Sequence, residues 1–345
     1  MAVATLTIDL DNLVANWHAL DACSASHVET AAVVKADGYG LDAGRVSAAL
    51  ARGGVKTFFV AVAEEGIAVR NSVGKEAEIY VFSGCCGKDA ALLQKHNLIP
   101  LLNSPEQVKD FLPSARPFGI QLDSGMNRLG MEPEDFAALK DRITAAGPKL
   151  VMSHLACADE PDHPQNKAQL DCFREMTDGL SARKSLSATG GTLLGADYHF
   201  DLNRPGVGLY GGEPFSDTKA VVGLSIPVIQ TRNVIKGETV GYGANWTAQR
   251  DSKIATIASG YADGLIRAIG NGNLNLYAGD TPCPLVGRVS MDLITVDVTD
   301  LETSPDHLDL LNDIQTVDHL ADAAGTIGYE ILTSLGARYN RVYKG

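Results

Sequence analysis

The sequence predicts an α/β protein, an N-terminal (β/α)8 TIM-type barrel followed by a mainly β C-terminal domain. Three observations carry this. Short apolar, β-branched runs alternate with helical patterns over roughly the first 215 residues, as the strand–helix repeats of a parallel sheet require. Eight such repeats can be counted, and eight close a barrel more readily than they extend an open sheet. After about Phe215 the texture changes to β-branched segments separated by Gly, Pro or Asp, the pattern of turn-linked strands.

The elements follow in order. Residues 10–20 place Leu10, Leu13, Val14, Trp17 and Leu20 on one stripe, which fits a helical period. Candidate buried strands are AAVVK (31–35), TFFVAV (57–62), EIYVF (78–82), IPLL (99–102), FGIQLD (118–123), KLVMSH (149–154) and SLSAT (185–189), with an eighth just before RPGVGLYG. Amphipathic helices fill the gaps, and the barrel is expected over 9–215. GLSIPVIQTRNVI, KIATIAS, CPLVGRVS and LITVDVT are the strands expected in a second domain over 216–345. Two short helices, near 316–324 and 328–337, close the chain.

Composition narrows the function classes. The 345 residues are 45% apolar and 21% charged, with a formal net charge of -13. That length favours two domains, with one large barrel as the alternative. The acidic balance disfavours nucleic acid or an anionic membrane as the main partner. Local arginines can still focus a small anion. Cys23, Cys85, Cys86, Cys157, Cys172 and Cys283 are scattered with no metal-ligand or C-x-x-C spacing, so no metal and no disulfide are expected. The N-terminus carries acidic residues where a signal peptide is basic and apolar. No apolar run reaches the roughly 18 residues of a membrane span. A soluble cytoplasmic protein is expected.

The strongest local signal is VVKADGYG, where Lys35 ends an apolar strand and a turn with Tyr39 follows. Catalytic groups of a barrel project from the C-terminal ends of its strands, and partial burial frees an amine for Schiff-base formation. Taken alone, a lysine whose stem snorkels to the rim is the commoner outcome. DSGMNRLG carries Arg128, suited to hold a carboxylate or merely a surface ion pair. His154 ends KLVMSH, and a lone histidine is more often structural than catalytic. SLSATGGTLLG sets Ser187 and Thr189 beside Gly190 and Gly191, a turn whose N–H groups can face a phosphate. LNRPGVGLYGG adds Arg204 and glycines that admit close backbone approach. Five strand ends thus carry Lys, Arg, His, Thr and Arg. In the second domain VGYGANW, SGYADG and VGRVSMD present Tyr242, Tyr261, Met291 and Asp292. A tyrosine acts as a base only if a neighbour lowers its pKa of about 10; a half-buried strand aromatic is its usual fate.

Taken together, VVKADGYG, DSGMNRLG, SHLACAD, RPGVGLYGG, GYGANW, SGYADG, GRVSMD and GYE at Tyr329 resemble the alanine racemases, fold-type III pyridoxal phosphate enzymes, in order and approximate spacing over essentially the whole length. The resemblance implies that Lys35 holds pyridoxal 5'-phosphate as a Schiff base and is the base on one face of the substrate. Tyr242 is then the base on the other face, lent by the partner subunit of a homodimer with shared active sites. Arg204 contacts the pyridine nitrogen, and His154 supports Tyr242 and the cofactor. Arg128 lies near the cofactor's phenolic oxygen and the substrate carboxylate. Tyr39, Thr189, Gly206, Val207 and Tyr329 line the phosphate, while Met291, Asp292 and Tyr261 approach the substrate. Residues 1–8 are implied to form a strand of the β domain. The implied reaction converts L-alanine to D-alanine for cell-wall peptidoglycan.

Two departures stand out. Ala188-Thr189 replaces the Asn-Ser common before the second phosphate turn, so one amide contact is lost. Gln121 occupies a position where some relatives carry a carbamylated lysine, and it could donate a hydrogen bond in its place. Competing readings are a fold-type III decarboxylase, a cofactor carrier built on the barrel alone, and a Schiff-base aldolase. The decarboxylase would show an acidic residue near the pyridine nitrogen and a Cys acid; Arg204 stands in that place. Serine or another small amino acid is the alternative substrate, because one methylene or hydroxyl shifts discrimination by only about 1–3 kcal/mol.

Overall fold

A computed structural model describes residues 3–270 and 272–345. The chain divides into two compact units. One comprises Leu13–Leu209 and Pro214–Thr218; the other takes the described residues up to Asn12, then Tyr210–Glu213 and Lys219–Gly345.

The first unit is the parallel barrel. Seven strands pair in sequence order, Ala32–Val33, Thr57–Val60, Glu78–Val81, Ile99–Leu102, Gly119–Gln121, Leu150–Met152 and Arg183–Ser185. An eighth, Leu202–Asn203, lies parallel to Glu29–Thr30. It closes the ring, since Ala31 donates to Asn203 O at 2.8 Å and Arg204 donates to Ser187 O at 2.8 Å. Helices follow most strands, as such parallel crossovers demand. Strand residues such as Phe58, Phe59, Tyr80, Leu101 and Ile120 are fully buried. Inside, Phe59 stacks between Tyr80 and Phe82, with ring centroids 5.2 and 5.4 Å apart.

Two details differ from the sequence reading. The first strand is broken at Ala31 and stops before Lys35, because the chain there enters a left-handed turn. The seventh strand is Arg183–Ser185 rather than 185–189, and Thr189 opens the short helix Thr189–Leu193. The charged pair Arg183-Lys184 hides that strand from a hydrophobic pattern. Arg183 is compensated by Glu29 at 2.5 Å and Glu78 at 3.5 Å, both at the N-terminal ends of other strands.

The second unit is mainly antiparallel β, with Thr5–Asp9 and Asn340–Lys344 paired in parallel. Its strands run in the order Ser252–Ile257, Ile294–Asp297, Thr281–Val286, Asn275–Ala278, His307–Leu311, Val222–Val234, Thr5–Asp9 and Asn340–Lys344. The 13-residue strand Val222–Val234 also pairs with Ser252–Ile257, which closes six of the strands into a ring and removes their edges. A register shift between Val228 and Gln230 bends it so that its two halves serve different neighbours, the usual use of a bulge. Two helices, Val317–Ala324 and Gly328–Ser334, pack late in the chain. Among the described residues no helix is long and apolar enough to cross a membrane.

Candidate active site

Lys35 leads into a turn that few sequences adopt. Ala36, Asp37, Gly38 and Tyr39 have φ of 53°, 54°, 64° and 56°, the left-handed region that costs a non-glycine L-residue about 1–2 kcal/mol. Such strain persists only where contacts over-determine it. Here Glu65 accepts the N–H of Ala36 through Oε1 and that of Ala61 through Oε2, both at 2.8 Å. Asp37 accepts the Ala43 N–H at 2.9 Å, and Tyr39 is buried. A Cβ on Gly38 would lie 3.1 Å from Ala43 Cα, a tight contact that glycine avoids.

The half-buried Lys35 amine is pushed below its ordinary pKa, first by desolvation and then by Arg128, against an opposing pull from Glu65. Its Nζ stands 6.0 Å from the Phe82 ring centroid. Arg204 is 1% exposed. It donates to Ser153 O at 2.7 Å, to Leu186 O at 3.3 Å and to the Ser185 hydroxyl, while its guanidinium lies 5.9 Å from the Phe59 centroid. Burial lowers its pKa to about 9, so at neutral pH it keeps its charge. His154 is pushed down to about 3 by burial, then by Arg204, Arg128 and Lys35. Its imidazole is neutral at physiological pH.

Arg128 is exposed on a loop held from beneath. Asp123 accepts the N–H groups of Gly125 and Met126 at 2.8 Å each, and the Gln121 amide donates to Leu129 O at 3.1 Å. Gln121 therefore acts on the backbone beside Arg128. Thr189 accepts from the N–H groups of Gly206 at 3.1 Å and Gly208 at 3.3 Å. A Cβ on Gly206 would sit 2.3 Å from the Tyr39 hydroxyl. Tyr39, Thr189, Gly206 and the buried Val207 thus form one cradle.

The remaining candidates lie in the β unit. Tyr242 opens the turn Tyr242–Ala244 and is 72% exposed. Tyr261 and Met291 stand on adjoining loops, where the backbone N–H of Tyr261 donates to Ser290 O at 3.0 Å and that of Ala262 to Met291 O at 2.9 Å. Asp292 accepts from Arg338 at 2.8 Å. Tyr329 sits in the first turn of Gly328–Ser334, on a different element. Sequence reading singled out neither Glu65 nor Arg338. An acidic residue opening a helix is routine, and an arginine near a chain end carries no signal until its distant carboxylates are located.

Each unit matches a known family model. Residues 8–214 match "Alanine racemase, N-terminal domain" and residues 221–343 match "Alanine racemase, C-terminal domain". The alanine racemase of Dinoroseobacter shibae is 60% identical over 348 aligned residues, covering 100% of this chain and 99% of that one. Among solved structures, the alanine racemase from Bartonella henselae with covalently bound pyridoxal phosphate has a TM-score of 0.94 at 36% identity, with both chains covered in full. The biosynthetic alanine racemase from Pseudomonas aeruginosa has a TM-score of 0.93 at 35% identity, again with full coverage of both. A barrel whose rim presents a depressed amine among cations, joined in sequence to an antiparallel β unit, is the class this chain represents. It belongs to the alanine racemase family.

Proposed function

We propose that this chain is a pyridoxal 5'-phosphate-dependent isomerase that interconverts L- and D-alanine by a two-base mechanism, with Lys35 and Tyr242 as the bases. The observation that carries the reading is the Lys35 amine, depressed by burial and by Arg128, on the same barrel rim as the glycine cradle of Tyr39, Thr189 and Gly206.

The residues suit that cofactor. An amine with a lowered pKa condenses with an aldehyde. Backbone N–H groups and glycine-lined space suit a phosphate. Arg204, buried and held only by neutral oxygens, can donate to a ring nitrogen while keeping its own proton. The cofactor, when bound, supplies an electron sink that makes the α-proton of alanine removable.

The protein's part is to orient and to move protons. Arg128 holds the substrate carboxylate, and Tyr261, Met291 and Asp292 bound the side-chain space. Lys35 Nζ takes or gives the α-proton on one face; Tyr242 Oη serves the other, so no rotation of the substrate is needed. Arg204 favours fidelity, since a carboxylate there would promote transamination. Neutral His154 adds no competing charge. Tyr39, Thr189, Gly206, Val207 and Tyr329 hold the phosphate. Tyr242 is lent by the partner of a homodimer, which its exposure of 72% on its own unit supports. The enzyme works in the cytoplasm, and its product D-alanine supplies cell-wall peptidoglycan.

The direct test is the visible spectrum of the purified protein followed by α-deuterium exchange in D2O. A coloured protein that carries deuterium into both L- and D-alanine is the expected result. Colourless protein that refuses pyridoxal 5'-phosphate, or CO2 release in place of exchange, contradicts it.

A further inference from the structure

We infer that Arg338 is a positioning residue that fixes the substrate wall formed by Tyr261 and Met291. This rests on the assignment of those two side chains to the substrate side.

The two side chains are 43% and 53% exposed on their unit, so packing around them does little to hold them. Their loops are joined instead from behind. Arg338 Nε donates to Asp263 Oδ1 at 2.6 Å and Nη2 to Asp263 Oδ2 at 2.8 Å, while Nη1 reaches Asp292 Oδ1 at 2.8 Å. Asp263 belongs to the turn Tyr261–Asp263 and also accepts the Gly260 N–H at 2.9 Å. Asp292 directly follows Met291. One guanidinium therefore bridges both loops, with a two-pronged grip on a carboxylate that is 7% exposed.

The surrounding backbone leaves little slack. A Cβ on Gly260 would fall 2.4 Å from the carbonyls of Ser290 and Met291, and one on Gly264 would fall 1.8 Å from Ser334 O. Gly336, two residues before Arg338, donates to Asp263 O at 2.9 Å. A planar guanidinium can meet three oxygens at fixed angles, whereas an ammonium is a point charge on a flexible stem. The clamp thus sets where Tyr261 and Met291 stand, and with it the size of side chain the wall admits.

The test compares Arg338→Lys, Asp292→Asn and Met291→Ala in the cofactor-loaded enzyme with alanine and serine as substrates. Arg338→Lys is expected to leave kcat near wild type, raise KM for alanine about threefold to tenfold and lower the alanine-over-serine preference similarly, and Asp292→Asn to raise KM and lower that preference in the same direction. Amide hydrogen exchange over 260–263 and 290–292 should quicken in the same variants. Faster exchange with unchanged KM and preference makes Arg338 purely structural and overturns the inference; so does no change in any readout. If Met291→Ala alters the preference while the clamp variants do not, the clamp falls and the wall stands. If Met291→Ala is silent as well, the wall assignment falls and takes the clamp with it. Should Arg338→Lys fail to fold, Asp292→Asn decides, because it leaves the grip on Asp263 intact.

Discussion

The Glu65 carboxylate accepts the backbone N–H of Ala36 at 2.8 Å, one peptide beyond Lys35. It thereby ties the strained turn after the first barrel strand to Ala61, just past the second. It is also the charge that opposes the depression of the Lys35 pKa. The same side chain thus holds the backbone beside the amine and moderates the lowering of its pKa that burial and Arg128 impose.

Glu65→Gln should therefore lower the Lys35 pKa further, since removing a negative neighbour disfavours the ammonium. Arg128 and His154 remain as the other titratable neighbours. The measurement is the pH dependence of Lys35 labelling in cofactor-free protein, with exposed Glu64→Gln as control. A midpoint that stays in place, or rises, contradicts the role given to Glu65.

The Thr189 hydroxyl satisfies two N–H groups in a buried place. Thr189→Val keeps the shape and removes the acceptor, which should cost about 1–3 kcal/mol of stability and weaken cofactor retention. Thr189→Ser should recover most of both. Urea midpoints and cofactor dialysis check this; a valine variant as stable as wild type contradicts it.

His154 supplies a pH dependence whose sign is fixed. Its folded pKa is about 3 against an ordinary 6.5. Between those values the unfolded chain binds a proton that the folded chain refuses, so stability falls as pH drops from 6.5 toward 3. His154→Gln should flatten that part of the profile. Urea midpoints at pH 7 and pH 5 measure it, and equal losses in variant and wild type count against it.

Much of this architecture is written in local pattern. Runs such as TFFVAV reveal barrel strands because all of Thr57–Val60 is buried; Lys35 stands out because it ends an apolar run before a glycine-bearing turn, and Arg204 and Thr189 because each adjoins proline or glycine beside a strand end. What stays hidden depends on partners far along the chain. Arg183 passes for a surface residue until Glu29, 154 positions away, is placed beside it. Arg338 means nothing until Asp263, 75 positions away, is found in its fork. The left-handed turn after Lys35 is equally invisible, because Ala36, Asp37 and Tyr39 prefer other conformations and only tertiary contacts hold them there.

In the proposed mechanism two proton carriers, Lys35 and Tyr242, serve one substrate from different subunits. Mixing Lys35→Ala with Tyr242→Phe protein and allowing subunits to exchange tests it most directly. Random pairing of equal amounts makes half the dimers mixed, each with one intact site of two, so activity should recover to about a quarter of wild type. Activity that never rises above the sum of the two variants alone would contradict a shared site.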